Sequence, residues 1–257
     1  MKFGVCCSIK NQARILKLQE LGFDYFDVSF KMMVRLTEEE FANALDFVKG
    51  IQFPCIATNC LLESSYNIAS GDYDIEELNT FLETGFKRVA ELGVRYVVFG
   101  SGGARSISKD MNYDEGYQRI VEFTRKIAKI ADGYGITIAI EPLQKLECNI
   151  VNTVSEGVKL AKDSGCNNVK GHADYFHMSR GDSIENLLEL NNQIAYSHIS
   201  NTAITRGFPK KSKKYDYKPF IDALKKIGCE YCSIEGLAIF FESACRKSIA
   251  LLRELDK

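Results

Sequence analysis

The sequence lacks the features that mark membrane-spanning, secreted or nucleic-acid-binding proteins. No segment approaches the roughly 18–20 uninterrupted apolar residues of a transmembrane helix, and the N-terminal stretch MKFGVCCSIKNQ has too short an apolar run for a signal peptide. Lysine and arginine number 33 against 34 aspartates and glutamates, so the net charge of −1 gives no overall attraction to nucleic acid or to an anionic membrane. We therefore expect a cytoplasmic protein with no nucleic-acid partner and no membrane partner.

Cysteine is present, but it lacks the pattern of a disulfide framework. The nine cysteines are odd in number and scattered along the chain, which favours a reducing compartment. Cys229 and Cys232 form the one C-x-x-C pair, and no second pair follows at the spacing of a structural zinc site. The pair also leads into a predicted strand, whereas a redox pair usually opens a helix. We interpret these two cysteines as small apolar core residues.

Proline is scarce, with four in 257 residues, and the composition does not shift along the chain. The absence of a linker or a low-complexity tract predicts a single domain over residues 1–257. One run of charge, KKSKKYDYK at 210–218, is interpreted as a solvated loop after the seventh strand, although its lysines could also meet a phosphate group.

Short apolar runs alternate with amphipathic segments along the whole chain. Eight runs, starting near residues 3, 25, 54, 96, 136, 169, 194 and 231, have the nearly continuous apolar character of parallel strands that are covered on both faces. The segments between them have helical periodicity, and one begins with a predicted capping box of Thr37 and Glu40. Eight strand–helix units in a chain of this length predict an α/β protein, a single (β/α)8 TIM barrel, over the alternative of an open doubly wound sheet.

Polar residues end four successive strands of the predicted barrel. They are Glu141, Asp174, His198 and Glu235, in strand order five to eight. Because the strand ends of a TIM barrel meet at one mouth, three carboxylates and an imidazole are expected to converge there. Carboxylates that converge in a partly buried site repel one another unless a cation neutralises them. Three oxygen ligands and one imidazole suit Mn²⁺ or Mg²⁺, with Co²⁺ an alternative and Zn²⁺ less favoured.

The motifs around these residues resemble those of a known family. The segments are IEPLQKLECN at 140–149, DYFHM at 174–178, SHIS at 197–200, RGFP at 206–209 and SIEG at 233–236. They resemble the xylose isomerase-like TIM barrels, in particular the sugar phosphate isomerase/epimerase family and its ketose 3-epimerases of the tagatose/psicose type. The resemblance covers essentially the whole chain. The chain departs from the family pattern at Gln144 and Lys145, and its loop before Arg206 is two residues longer.

The resemblance implies a function and a set of site residues. Glu141, Asp174, His198 and Glu235 would bind one divalent metal ion, Mn²⁺ by preference, with Mg²⁺, Co²⁺ or Zn²⁺ as alternatives. Glu141 and Glu235 would also be the acid/base pair that epimerises a ketose, or a ketose phosphate, at C3 through a metal-stabilised enediolate. The resemblance further implies substrate contacts from Glu147, His177 and Arg206, and a homodimer or homotetramer.

Four further polar residues have less specific interpretations. Asp27 and Asn59 lie near the ends of the second and third strands, where they could bind sugar hydroxyls or cap a turn. Arg105 could reach a phosphate or carboxylate, or form a surface salt bridge. His172 lies two residues before Asp174 and shares its inward side on a strand, and we interpret it as a structural residue and not as a ligand.

Other functions remain open at this level. A hydroxypyruvate-type isomerase or an inosose dehydratase would use the same enolisable carbonyl beside a hydroxyl group. An abasic-site endonuclease of the same superfamily needs more histidines than the three in this chain, and the charge balance also argues against it. A sugar-binding barrel without turnover would have no need of both Glu141 and Glu235.

Overall fold

The computed structural model describes residues 1–257, and its eight strands form one closed parallel barrel. Each strand pairs with the next along the chain, and the last strand closes against the first with Tyr231 opposite Lys2. The prediction of a TIM barrel, and not of an open sheet, is confirmed. The strands are β1 (Lys2–Cys6), β2 (Tyr25–Ser29), β3 (Cys55–Asn59), β4 (Tyr96–Phe99), β5 (Thr137–Ile140), β6 (Val169–Asp174), β7 (Ile194–Ile199) and β8 (Tyr231–Ile234).

Helices follow every strand, and the eight predicted helical segments are all present. Three additional short helices lie shortly after strands, at Phe30–Arg35, Gly102–Arg105 and Tyr175–Met178. The Thr37 capping box is also present, because Glu40 and Thr37 each accept a hydrogen bond from the other's backbone N–H. The helices are α1 (Gln12–Glu20), α2 (Phe30–Arg35), α3 (Glu38–Gly50), α4 (Ile75–Glu91), α5 (Gly102–Arg105), α6 (Tyr113–Asp132), α7 (Val154–Ser164), α8 (Tyr175–Met178), α9 (Ile184–Leu188), α10 (Lys218–Lys226) and α11 (Phe241–Leu255).

Two hydrophobic clusters support the barrel. The larger one fills the space between the strands and the surrounding helices. The smaller one fills the barrel's interior, where the rings of Tyr25, Tyr196 and Tyr231 pack edge-on or stacked with centroids 5.6–6.3 Å apart. Gly4 allows this packing, because a Cβ at that position would lie 2.2 Å from the Tyr25 ring. Tyr25 and Tyr231 begin their strands, so the aromatic layer lies toward the N-terminal end and leaves the C-terminal end for polar residues.

The cysteines are free thiols throughout the chain. Cys229 and Cys232 are buried, in agreement with their interpretation as core residues. None of the helices combines the length and the apolar character needed to span a bilayer.

Candidate metal centre

The four polar strand-end residues converge at the C-terminal mouth of the barrel. Glu141 follows β5, Asp174 ends β6, His198 is the penultimate residue of β7, and Glu235 follows β8. One ligand atom from each lies within 4.8 Å of the others. His198 Nδ1 is 3.3 Å from Glu235 Oε2, 3.5 Å from Glu141 Oε1 and 3.9 Å from Asp174 Oδ2. The structure therefore brings together the four residues that the sequence predicts as ligands.

Local structure orients two of the carboxylates. Asp174 caps α8, and its Oδ1 accepts the backbone N–H groups of Phe176 at 2.7 Å and His177 at 3.1 Å. This leaves Asp174 Oδ2 facing the centre. Asn59, the last residue of β3, donates its side-chain amide to Glu235 Oε1 at 2.5 Å. Each carboxylate thus has one oxygen fixed by the protein and one oxygen directed toward the other ligands.

A close approach of backbone makes room for the third carboxylate. Gly100 follows β4, and a Cβ at this position would lie 2.1 Å from Glu141 Oε2. Any larger residue would therefore have to displace the Glu141 side chain. The glycine at this position is a steric requirement of the centre.

Arg206 lies inside the centre. Its guanidinium donates hydrogen bonds to Asp174 Oδ2 and to Glu235 Oε2, the latter at 2.5 Å. Its backbone has a φ of 45°, in the left-handed region that non-glycine residues rarely adopt. The longer loop before Arg206 therefore does not prevent the side chain from reaching the site. The guanidinium provides positive charge between two carboxylates, where an ion would also provide it.

The charges of the centre shift the pKa values of its members. Burial alone would raise the pKa of Glu235, but the positive charges of His198 and Arg206 outweigh it and hold that pKa well below its usual value. Burial alone would lower the pKa of His198, but the negative charge of Glu235 and the contact of His198 Nε2 with Cys6 Sγ outweigh it and raise that pKa well above its usual value. The centre is therefore one in which carboxylates stay ionised and positive charge is favoured.

The unpaired atoms of the centre fit a divalent cation. Glu141 Oε1 and His198 Nδ1 are buried and have no hydrogen-bond partner, although they lie 3.5 Å apart. Buried polar atoms without partners are costly, at about 1–3 kcal/mol each. A cation that displaces the His198 proton and accepts a lone pair from each atom removes this cost, and the oxygen-rich ligand set suits Mn²⁺ or Mg²⁺.

A cavity of about 280 Å³ opens over the centre. Its wall includes Glu147, His177 and Arg206, the three predicted substrate contacts, together with Lys31 and Cys60.

Two of these predicted contacts lie side by side in the cavity wall. Glu147 Oε1 is 4.0 Å from His177 Nδ1. Gln144 hydrogen-bonds to both residues: its backbone N–H donates to His177 Nδ1 at 3.2 Å, and its side-chain amide donates to Glu147 Oε1 at 2.5 Å. The Glu147 side chain is 43% exposed, so its carboxylate remains accessible to a ligand.

The structure revises three of the less specific interpretations. Asp27 does not end its strand; it is fully buried and accepts hydrogen bonds from Tyr196 Oη at 2.6 Å and from the Ala57 backbone at 3.1 Å. Burial raises the pKa of Asp27. Asn59 donates its amide to Glu235 and its Oδ1 caps no turn, while contact with sugar hydroxyls stays a prediction. Arg105 is fully buried, so it forms no surface salt bridge.

Arg105 instead joins two strand ends. Its guanidinium donates to the carbonyl oxygens of Phe99 at 3.1 Å and Glu141 at 2.7 Å, which ties the end of β4 to the first residue after β5. The basic loop, by contrast, agrees with its interpretation. Lys210 to Lys214 are exposed, and Lys211 pairs with Glu254 at 3.1 Å.

Cys6 and Lys31 are site residues that sequence reasoning missed. Cys6 ends β1, and its Sγ lies 3.8 Å from His198 Nε2 and 3.9 Å from Asp27 Oδ2. Its position at a strand end is the same signal that identifies the four ligands, but the sequence prediction considers only carboxylates and histidine at the strand ends. Lys31 lies in α2, a helix that the sequence analysis did not predict.

Comparison with known proteins gives consistent matches. The sequence profile of the family described as "Xylose isomerase-like TIM barrel" matches residues 15–255. The D-psicose 3-epimerase of Agrobacterium fabrum is 31% identical over 184 residues, and that of Ruminiclostridium cellulolyticum is 28% identical over 183 residues. These alignments cover 66% and 64% of this chain, but only 61% and 57% of the relatives' own lengths.

A solved structure agrees over the whole fold. The crystal structure of a D-psicose 3-epimerase in the presence of D-fructose superimposes with a TM-score of 0.86, covering 100% of this chain and 99% of that one at 22% identity. At this identity the likeness extends to the fold.

Proposed function

The chain belongs to the xylose isomerase-like TIM-barrel family, and we propose that it is a divalent-metal-dependent epimerase that acts at C3 of a ketose or a ketose phosphate. One observation carries the proposal. Glu141 and Glu235, from strands three positions apart around the barrel, both direct a carboxylate oxygen at His198 Nδ1 under an open cavity. Two carboxylates on different sides of one substrate carbon are what an epimerisation requires. The two relatives that are named D-psicose 3-epimerases support the reaction and the substrate class.

Glu141, Asp174, His198 and Glu235 would hold the ion, with Mn²⁺ the preferred ion and Mg²⁺, Co²⁺ or Zn²⁺ the alternatives. When bound, the ion supplies a Lewis acid that polarises the ketose carbonyl and makes the neighbouring C–H acidic. Arg206 must then release or share Asp174 Oδ2 and Glu235 Oε2, and the released guanidinium is free to hold an oxygen of the substrate.

Glu141 and Glu235 carry the protons. One removes the C3 proton from its side of the sugar and the other returns a proton on the opposite side, and the two exchange roles in the reverse direction. Asn59 fixes Glu235 Oε1 during this exchange, while the Glu141 backbone is held by Arg105. His177 and Glu147 line the cavity next to the centre and bind substrate hydroxyl groups.

The test is turnover on a panel of ketoses, free and phosphorylated, with added Mn²⁺ in deuterated water. Epimerisation at C3 predicts solvent deuterium at C3 of the product, and loss of the activity on treatment with a chelator. Aldose–ketose isomerisation of the hydroxypyruvate type predicts deuterium at C1 or C2 instead. Dehydration of an inosose predicts loss of water and no epimer. Either of these two outcomes, or chelator-resistant turnover, would overturn the proposal.

Two variants and a control test the roles of the carboxylates. Glu141→Gln and Glu235→Gln keep the side-chain shape but remove the base, so each is expected to abolish turnover. Glu254→Gln changes an exposed carboxylate on α11 that bonds Lys211, and it should have wild-type activity. Full activity in Glu141→Gln or Glu235→Gln would show that the acid/base pair lies elsewhere.

A further inference from the structure

His172 is a buried histidine that the proposed reaction does not use. It lies in β6 two residues before Asp174, it is fully buried, and neither of its ring nitrogens has a hydrogen-bond partner. A buried imidazole normally hydrogen-bonds through at least one nitrogen, because an unpaired buried polar atom costs about 1–3 kcal/mol. Both nitrogens of His172 bear this cost, and a bound ligand such as a metal ion would remove it from the nitrogen that it contacts.

The free edge of His172 faces the metal centre. Its Nδ1 is 4.0 Å from Glu141 Oε1, and its ring meets the His198 ring at 67° with centroids 4.5 Å apart. Glu141 Oε1 and His198 Nδ1 are themselves buried and unpaired. The unpaired atoms of these residues, from β6, β7 and the residue after β5, therefore lie close together, and one ligand atom from each residue lies within 4.8 Å of the others.

The distances fit a shared ion better than a direct hydrogen bond. The 4.0 Å between His172 Nδ1 and Glu141 Oε1 exceeds hydrogen-bond range. Ligands about 2.1 Å from an ion lie about 3.0–4.2 Å from each other, depending on the angle at the ion. The separation of 3.5 Å from Glu141 Oε1 to His198 Nδ1 also falls in this range.

We propose that His172 is an inner ligand of the centre. Glu141, His172 and His198 then form an inner donor set. It shares Glu141 and His198 with the outer donor set, which is Glu141, Asp174, His198 and Glu235. The inference extends the proposed function, because it concerns which ion the same site prefers. Two imidazoles and one carboxylate favour Co²⁺, Zn²⁺ or Fe²⁺ over Mg²⁺ and Mn²⁺, which prefer oxygen. His172 thus raises the affinity of the centre for later divalent ions, relative to its affinity for Mn²⁺, above what the four outer residues alone would give.

The test is calorimetric titration of the metal-free protein with Co²⁺ and with Mn²⁺, separately. His172→Leu should weaken Co²⁺ binding by more than about 10-fold and Mn²⁺ binding by less than about threefold. The ligand-field absorption of the Co²⁺-loaded protein should also change, because it reports the number of nitrogen ligands. Val98→Ala is the control, since Val98 is a buried apolar residue of the interior cluster and the substitution changes packing without removing any polar group, so any effect should be the same for both ions.

A second variant separates ligation from hydrogen bonding. His172→Asn can still donate a hydrogen bond toward Glu141, directly or through a water, but it is a poor Co²⁺ ligand. It should therefore behave like His172→Leu. Wild-type Co²⁺ affinity in His172→Asn, equal losses for both ions in His172→Leu, or an unchanged Co²⁺ spectrum would each overturn the inference.

The test remains informative if the proposed reaction fails. An effect of His172 on Co²⁺ affinity without turnover of any ketose would leave the inference standing and remove the function. C3 epimerisation with no effect of His172 on ion preference would do the reverse. Circular dichroism of each metal-free variant establishes that it is folded before titration.

Discussion

Arg206 offers the sharpest test of how charge is balanced in the centre. Without an ion, its guanidinium is the cation that bridges Asp174 and Glu235. Arg206→Met removes this charge and leaves two carboxylates facing each other. With an ion bound, the ion neutralises them and Arg206 is no longer needed for that purpose. We therefore expect Arg206→Met to destabilise the metal-free protein and to have much less effect on the metal-loaded protein.

The magnitude follows from the burial of the partners. Breaking a buried ion pair by removing one partner costs about 3–5 kcal/mol. Asp174 is fully buried, but Arg206 is 22% exposed and Glu235 is 18% exposed, so solvent screening favours the lower end. We expect a loss of about 3 kcal/mol without metal and of about 1 kcal/mol or less at saturating Mn²⁺. For a chain of this size the metal-free loss corresponds to a fall in Tm of roughly 6–12 °C.

Urea unfolding followed by circular dichroism, with and without Mn²⁺, measures both values. Arg180→Met is the matched control, because Arg180 also lies on the Phe176 ring but donates to the carbonyl oxygens of Phe176 and Thr202. Its destabilisation should be the same with and without Mn²⁺. An equal loss for Arg206→Met in both states, or a loss below about 1 kcal/mol without metal, would refute the reasoning.

Three further predictions concern residues around the centre. Asn59→Ala frees Glu235 Oε1 and should lower kcat about 10–100-fold with little change in KM; an unchanged kcat in steady-state assays would contradict this. Arg105→Met leaves the carbonyls of Phe99 and Glu141 without their charged donor and should cost about 3–6 kcal/mol in urea unfolding, two bonds at about 1.5–3 kcal/mol each; a loss below about 1 kcal/mol would contradict it. Cys60 is an exposed residue, but desolvation of its thiol in the cavity wall and the charge of Glu235 raise its pKa to about 11, so its thiolate fraction at pH 8 is about 10⁻³, against about 0.2 for an ordinary thiol. Alkylation of Cys60 in the metal-free protein, followed by peptide mass mapping, should be slow at pH 8 and about tenfold faster per pH unit up to pH 10; fast alkylation at pH 8 would contradict it.

The strands and the four candidate ligands could be predicted because both follow from local sequence. The run ITIAIEP is almost entirely apolar up to Glu141. Its burial and the position of Glu141 at its end can therefore be predicted without knowledge of any long-range contact. The barrel rule then brings Glu141 and Glu235 to the same mouth, although 94 residues separate them along the chain.

The contacts that tune the centre could not be predicted, because they depend on side-chain direction. Asn59 and Glu235 are 176 residues apart, and no local pattern indicates that the amide of one meets the carboxylate of the other. The inward direction of Arg105 follows from α5, a four-residue helix that is too short to have a periodicity. The sequence places His172 on the inner side of its strand, but only the folded structure shows that both of its nitrogens lack partners.

Anomalous X-ray diffraction from crystals soaked with Mn²⁺ tests the central claim most directly. The account predicts one strong peak per chain, within about 2.5 Å of a ligand atom from each of Glu141, Asp174, His198 and Glu235. It also predicts that Arg206 has moved off at least one carboxylate oxygen. A peak at any other location, or none at saturating Mn²⁺ with Arg206 still bridging Asp174 and Glu235, would contradict the account.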